Sequence, residues 1–424
     1  MRIPRNPPDI EAMMSDGQSS KDILSDEVRE YAKDFNERYL HWLEVRNRDT
    51  GRFDPDVVWA RMKLVRGDCG SELVFGNTHY RYFITERVWT MLRMFDARAN
   101  KGFSQGDDVL NSGAYHPART LMEESIASSQ AEGAVTTTKK AIEMLCHNIR
   151  PKDRSERMIV NNYRAMLYIK DHTDQPLTPQ LIKDIHRIVA DGTMDGRYMG
   201  TFRDNDDVVV QDSLTGEVFH QPIPKEEIEC SVEQLCGFIN GNDSLHPVVK
   251  GMILHYAIAY IHPFEDGNGR VARSLFYWYT LKSGYGIMEY LALSRYIRDH
   301  KGRYEESYIF GETDGNDMTY FMLYNLKALE DSMDTFEGYL ERRTGEEMVM
   351  RARLSGYGLN DRQIGIFTGL MNGEDISVRS VMNQYGVSLN TARADIAALI
   401  DAELIIETGR EVNSRIYSWS GRKV

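Results

Sequence analysis

Residues 261–276, IHPFEDGNGRVARSLF, gather more reactive side chains than any other stretch of this 424-residue chain. Gly267 and Gly269 let the backbone curl tightly and leave room for a ligand to approach its amides. A helix beginning near Gly269 turns its unpaired N–H groups and its positive dipole end back toward that loop. Arg270 stands at the start of this helix, and Arg273 one turn later on roughly the same face. Two guanidiniums, a ring of amides and a helix N-terminus make an anion cradle that suits a polyphosphate better than a single carboxylate. Asp266 beside it offers the hard oxygens that Mg²⁺ on a nucleotide phosphate takes. His262 is the one group there able to accept a proton near pH 7. A histidine base, an Mg²⁺ ligand and a phosphate cradle together point to transfer of a phosphate-containing group to a hydroxyl. Phe264 anchors the loop by burying its ring.

Such a loop needs rigid elements on both sides. The apolar runs ILHYAIAYI (253–261) and SLFYWYTL (274–281) flank it and read as buried helices. Further helical text covers 117–128, 134–148, 155–170, 178–191, 224–240, 246–261, 269–282, 289–301 and 317–341. Between two of these lies VVVQDSLTGEVFH (208–220), where β-branched residues surround Leu-Thr-Gly, a single hairpin in a helical domain. Upstream, Tyr31, Phe35, Tyr39 and Trp42 recur at helical spacing and mark one buried helix face. Residues 1–20 read as a loose arm, 66–82 and 97–114 as loops, and 342–358 as a linker. The tail runs helix, helix, Gly386 turn, helix and hairpin (LIIET and SRIYSW), the layout of a winged helix. The chain thus reads as mainly α, with an N-terminal helical region (1–109), a catalytic domain (110–345) and a winged helix (350–424).

Composition narrows the function classes. Fifty-one basic and 64 acidic residues leave a net charge of −13, which excludes a general affinity for nucleic acid. Cys69, Cys146, Cys230 and Cys236 lie far apart with no CxxC pair, which argues against a zinc site or a disulfide framework. No apolar run reaches the ~18 residues of a membrane span. The start, MRIPRNPPDI, lacks the apolar core of a signal peptide, so a cytoplasmic location is expected.

HPFEDGNGRVAR (262–273) resembles the signature of Fic-domain proteins, His-x-Phe-x-(Asp/Glu)-Gly-Asn-Gly-Arg-x-x-Arg, at all eight specified positions in twelve residues. The resemblance implies a Fic-like helical bundle with a β-hairpin flap, and adenylyl transfer: AMP from ATP, with Mg²⁺, onto a Ser, Thr or Tyr hydroxyl of a protein, the enzyme itself included. By that likeness His262 is the general base and Asp266 holds Mg²⁺. Gly267, Asn268 and Gly269 cradle phosphates, Arg270 contacts phosphate oxygens, and Arg273 grips the γ-phosphate. The hairpin 206–220 looks like the family's flap, which holds the target by strand addition. Tyr304 and Tyr308 resemble residues bordering the nucleotide base.

A second match lies upstream. SSQAEG (128–133) resembles the family's inhibitory-helix motif, (Ser/Thr)-x-x-x-Glu-(Gly/Asn), through Ser128, Glu132 and Gly133. Glu132 can pair bidentately with Arg273 and keep it from the γ-phosphate. An apolar branched residue is common before that Glu, and Ala131 stands there instead. Two other readings stay open. Glu132 can orient a water that removes AMP from a modified target, or the Fic-like domain can sense nucleotide for a DNA-binding regulator. Residues 351–424 hold nine basic and eight acidic side chains. Docking to protein, including homodimer formation, is therefore favoured there over DNA contact. His186 and His255 fall on apolar helices and read as core histidines.

Overall fold

The computed structural model describes residues 6–67, 70–111, 117–211, 216, 218–371, 376–411 and 414–421. At its centre lies the helix Pro247–Ile261, apolar all round and buried along almost its whole length. The helix Asn268–Lys282 packs along it, burying Leu275, Phe276, Tyr277 and Trp278. Around this pair stand Pro117–Ala131, Arg154–Asp171, Pro179–Ala190, Lys225–Asn240 and Thr319–Arg353. Their apolar faces share one core with Phe264. Phe75, Tyr80, Leu92 and Phe95 from the N-terminal region belong to that same core.

Two smaller cores flank it. Ile23, Val28, Phe35, Trp42, Trp59 and Met62 close residues 10–66 into a helical unit. In the C-terminal part, Asp361–Met371, Val378–Tyr385 and Leu389–Asp401 pack with the antiparallel strands Ile405–Glu411 and Ser414–Trp419 around Phe367, Ile396 and Leu399. Gly386, at φ 60°, makes the turn between the second and third of these helices. This unit touches the body through Asn383 Nδ2, which donates to the Cys146 carbonyl at 2.8 Å, and Arg379, which donates to the His147 carbonyl at 3.4 Å.

Several sequence expectations are corrected. The arm 1–20 contains two short helices, Ile10–Ser15 and Gly17–Ile23, capped by Asp9 and Asp16. The stretch 66–82 contains the antiparallel strands Ser71–Phe75 and Thr78–Tyr82; its glycines sit at the ends and in the turn, and Phe75, Tyr80 and Tyr82 alternate inward. The stretch 97–114 is helical to Asn111, within Glu86–Asn111, a helix that packs along Thr319–Arg353. Arg98 marks that contact by donating to Asp334 and Glu337. Most of the linker 342–358 continues the helix Thr319–Arg353, since Glu and Arg are also good helix formers.

The aromatic stripe is divided as well. Its helix ends at Glu37, and Tyr39, at φ 54°, turns away to donate to Asp317 at 2.6 Å. Three hairpins occur among the described residues where two were expected, Ser71–Phe75 with Thr78–Tyr82 being the addition. A helix absent from the sequence reading, Lys301–Thr313, carries Tyr304 and Tyr308. The flap hairpin is narrow, Val210–Gln211 against Val218–His220, and residues 212–215 and 217 lie outside the described residues, as does Cys69. Among the described residues, Cys146, Cys230 and Cys236 form no disulfide. Among the described residues no helix is long and apolar enough to cross a membrane.

Candidate active site

The central helix stops where Pro263 removes the next N–H donor. His262 caps it in the left-handed region (φ 51°, ψ 58°), an uncommon place for a non-glycine residue. Arg203, almost fully buried, holds that conformation: its Nε donates to the His262 carbonyl at 3.0 Å, and its other nitrogens reach the Asn205 and Ile223 carbonyls and Asp206. The imidazole Nδ1 lies 3.1 Å from the Ala259 carbonyl, an acceptor only, so Nδ1 carries the proton and Nε2 keeps its lone pair. Burial pushes this histidine down to about 4, so it is neutral at pH 7.

His262 shares a cavity of about 260 Å³ with Glu132, Gly269, Arg273, Lys301, Tyr304 and Tyr308. Flap residues Val210, Gln211, Phe219 and His220 form another of its walls. Arg273 also lines the cavity. Its Nη2 meets Glu132 Oε1 at 2.8 Å, its Nε donates to Ser128 Oγ at 2.9 Å, and Nη2 also reaches the Ser128 carbonyl at 3.1 Å. The Arg273 side chain is 2% exposed and that of Glu132 33%. Burial alone would raise the Glu132 carboxyl, but the Arg273 charge and hydrogen bond outweigh it and hold Glu132 below the ordinary carboxylate value. Burial likewise works against the Arg273 charge, and Glu132 reverses it, leaving the guanidinium above its ordinary value. A Cβ at residue 269 would collide with Glu132 Oε1, so only glycine fits beside the closed pair.

The loop residues divide by role. Gly267, at φ 87°, caps the helix Asn268–Lys282 without any side-chain cap, so its first amides keep no side-chain partner. Asn268 points inward, accepting from the Phe264 amide at 2.9 Å and donating to the Phe264 carbonyl at 2.7 Å; its side chain locks the loop. Arg270 is 1% exposed, donates to the Val189 carbonyl at 3.2 Å and does not line the cavity. Asp266, half-exposed at the loop edge, accepts from Arg154 at 2.8 Å and from the Gly267 amide at 2.6 Å. Among the described residues no group of three or more His, Cys, Asp or Glu could hold a metal by itself. Asp266 alone fits a cation that keeps most of its oxygens from water and phosphate, as Mg²⁺ on a nucleotide does.

Three contributors went unread in the sequence. His186 stacks on Phe264 at 3.8 Å, accepts from the Gly200 amide through Nδ1 at 2.9 Å, and donates through Nε2 to the Asp266 carbonyl at 2.9 Å. It is a core histidine, as expected, and it also props the reactive loop. Burial holds it neutral, at about 4. Arg203 is the second. The third is His220 on the flap, which meets Glu312 at 2.6 Å and the Tyr260 carbonyl at 2.7 Å and so ties the flap strand to the body. Basic or aromatic residues far from a motif give no local signal of this kind.

The Fic/DOC family model matches residues 176–280, which include His262 and the whole loop but not Glu132. Protein adenylyltransferase Fic of Drosophila virilis is 34% identical over 125 residues, 28% of this chain and 24% of that protein. Its namesake in Nematostella vectensis is 33% identical over 116 residues, 26% of this chain and 24% of that protein. The chain therefore spans about a quarter of the length of these curated relatives. Among solved structures, a Fic family protein from Desulfovibrio desulfuricans G20 superposes with a TM-score of 0.55 over 81% of this chain and 98% of its own, at 20% identity. Fic-1 from C. elegans superposes at 0.50, over 80% and 89%, at 16% identity. Residues 176–280 thus match the Fic/DOC family model, and most of the chain has a fold similar to that of a solved Fic family protein.

Proposed function

We propose that this protein is an autoinhibited protein adenylyltransferase, moving AMP from ATP to a Ser, Thr or Tyr hydroxyl. One observation carries the reading: the arginine suited to a γ-phosphate is paired with Glu132 inside the cavity that also holds a neutral His262. With Glu132 withdrawn, Arg273 and the amides at the start of Asn268–Lys282 bind the polyphosphate. The target hydroxyl oxygen attacks the α-phosphorus, its proton passes to His262 Nε2, and the α–β P–O bond breaks to release pyrophosphate. Mg²⁺ held by Asp266 supplies charge neutralisation across the phosphates when bound. The bound polyphosphate also raises His262 from about 4 toward the working pH, where a general base is most effective. Val210 and Gln211, at the cavity wall, offer a strand edge for the target segment. Mass spectrometry of purified Glu132→Gly protein after incubation with ATP and Mg²⁺ tests the reading. Added AMP on the protein or on lysate targets is expected, and its complete absence would overturn the proposal.

A reverse activity has one point in its favour. Only Oε1 of Glu132 engages Arg273, and a third of the side chain stays open to the cavity, where it can orient water. Loss of AMP from a modified protein that requires Glu132 would identify removal as the main reaction.

For the segments outside the family match we propose the same boundaries as above: a helical region 1–109, a catalytic domain 110–345 including the Glu132 helix, and a winged helix 350–424. Arg379, Arg393 and Arg415 come from three elements of the C-terminal unit and line one groove with Leu389 and Tyr417. Arg415 is paired with Glu407 at 3.2 Å, so the case for a DNA backbone contact rests on Arg379 and Arg393. A gel shift of the full chain across salt concentrations tests it, and absence of salt-sensitive binding leaves protein docking.

A further inference from the structure

We infer that Arg154 is a positioning residue that withholds Asp266 from a divalent cation, a second ionic latch beside the Glu132–Arg273 pair. This inference rests on the nucleotide-binding reading of the site. Arg154 opens the helix Arg154–Asp171, whose N-cap is Asp153. Its Nη2 meets Asp266 Oδ2 at 2.8 Å, and its Nε donates to the Thr193 carbonyl at 3.2 Å. The other carboxylate oxygen, Oδ1, accepts from the Gly267 amide at 2.6 Å and lies 3.6 Å from Arg270 Nη2. Both oxygens of the one carboxylate suited to Mg²⁺ are therefore committed to donors. A guanidinium and a divalent cation on the same oxygen repel each other, so one must leave.

The two arginines around Asp266 differ in their freedom to leave. Arg270 is 1% exposed and anchored on Val189, whereas the Arg154 side chain is 62% exposed. Swinging Arg154 into water costs little, because an exposed ion pair contributes little. That makes it a reversible latch and not a block.

The next residue joins the two latches. Ser155 Oγ accepts from the Val135 amide at 3.2 Å, and Val135 lies three residues after Glu132, past the Gly133 turn at φ 91°. The first turn of a single helix thus holds the cation ligand through Arg154 and the segment behind the inhibitory carboxylate through Ser155. Cation binding and withdrawal of Glu132 are coupled through it.

The test is titration of Mn²⁺, followed by electron paramagnetic resonance, into the full chain with a non-hydrolysable ATP analogue. Arg154→Ala and Arg154→Gln are expected to bind Mn²⁺ up to about fivefold more tightly than wild type, the effect of losing one exposed ion pair. The gain should shrink at high salt. Asp266→Asn should weaken Mn²⁺ binding in every background. Circular dichroism melts report whether each variant is folded. Equal or weaker binding in both Arg154 variants would overturn the latch. Strict additivity of Arg154→Ala with Glu132→Gly would overturn the coupling. Absence of nucleotide-dependent Mn²⁺ binding in wild type and all variants would instead refute the nucleotide reading itself.

Discussion

Replacing Glu132 with glycine removes one carboxylate from the cavity and leaves every proposed catalytic group in place. In the closed state Arg273 gives Glu132 one charge-assisted bond of 2.8 Å while keeping two bonds to Ser128. A hydrogen bond to a charged group is worth about 1.5–3 kcal/mol net. The Glu132 side chain is one-third exposed, so the lower end applies, about 1.5 kcal/mol. On the proposed reading, ATP displaces that bond before Arg273 takes its γ-phosphate. Removing the carboxylate should therefore tighten binding of a non-hydrolysable ATP analogue about tenfold by calorimetry. The rate of AMP incorporation followed by mass spectrometry should rise at least as much, because the α-phosphate also reaches its productive position. Glu132→Gln, which can still accept from Arg273 without the charge, should fall between wild type and Glu132→Gly. Ser128→Ala keeps the ion pair and should not release activity to the same degree. Unchanged affinity and unchanged labelling in Glu132→Gly would refute the idea that this pair restrains the enzyme.

Further outcomes follow from the same geometry. His262→Ala should lower AMP transfer by about 10²–10⁴-fold while leaving ATP-analogue affinity nearly unchanged, since the proposed role of the imidazole is on the target hydroxyl; a parallel loss of binding would argue against that role. Arg203→Leu leaves the carbonyls of His262, Asn205 and Ile223 without their buried donor and should cost about 3 kcal/mol by urea denaturation, with activity lost alongside. Stability should also fall in acid. Burial holds His186 and His262 at about 4 and His41 at about 3, well below the ordinary histidine. Between pH ~6.5 and 4 the unfolded chain therefore binds more protons than the folded one, and each such histidine lowers stability by about 1.4 kcal/mol per pH unit of acidification. Glu124 and Asp317, which burial raises, titrate in the opposite sense and blunt the slope. Urea midpoints at pH 7.5 and 5.5 that coincide would contradict this account.

The elements that were easy to read and those that were missed differ in what stabilises them. The helices around residues 246–282 announce themselves because long apolar runs can only be buried. Glu86–Asn111 and the end of Thr319–Arg353 did not, because they continue through polar or glycine-containing text that offers no apolar run to read. Strands Ser71–Phe75 and Thr78–Tyr82 hid behind flanking glycines, and their alternation is legible only once Tyr80 is seen buried in the main core.

Within the site, the sequence by itself determined the local chemistry. Residues 262–273 are contiguous, so the order of base, carboxylate, glycines and arginines already implies a loop, a helix N-terminus and an anion cradle. The Glu132 pattern was also visible, as a resemblance. Only the tertiary structure decided which groups meet. It brings Glu132 to Arg273 across 141 residues and Arg154 to Asp266 across 112. It sets His186 and Arg203 behind the reactive loop, and it turns Arg270 into the core while leaving Arg273 in the cavity. Spacing along a helix tells which residues share a face, but packing against other elements decides whether that face meets a ligand or the interior.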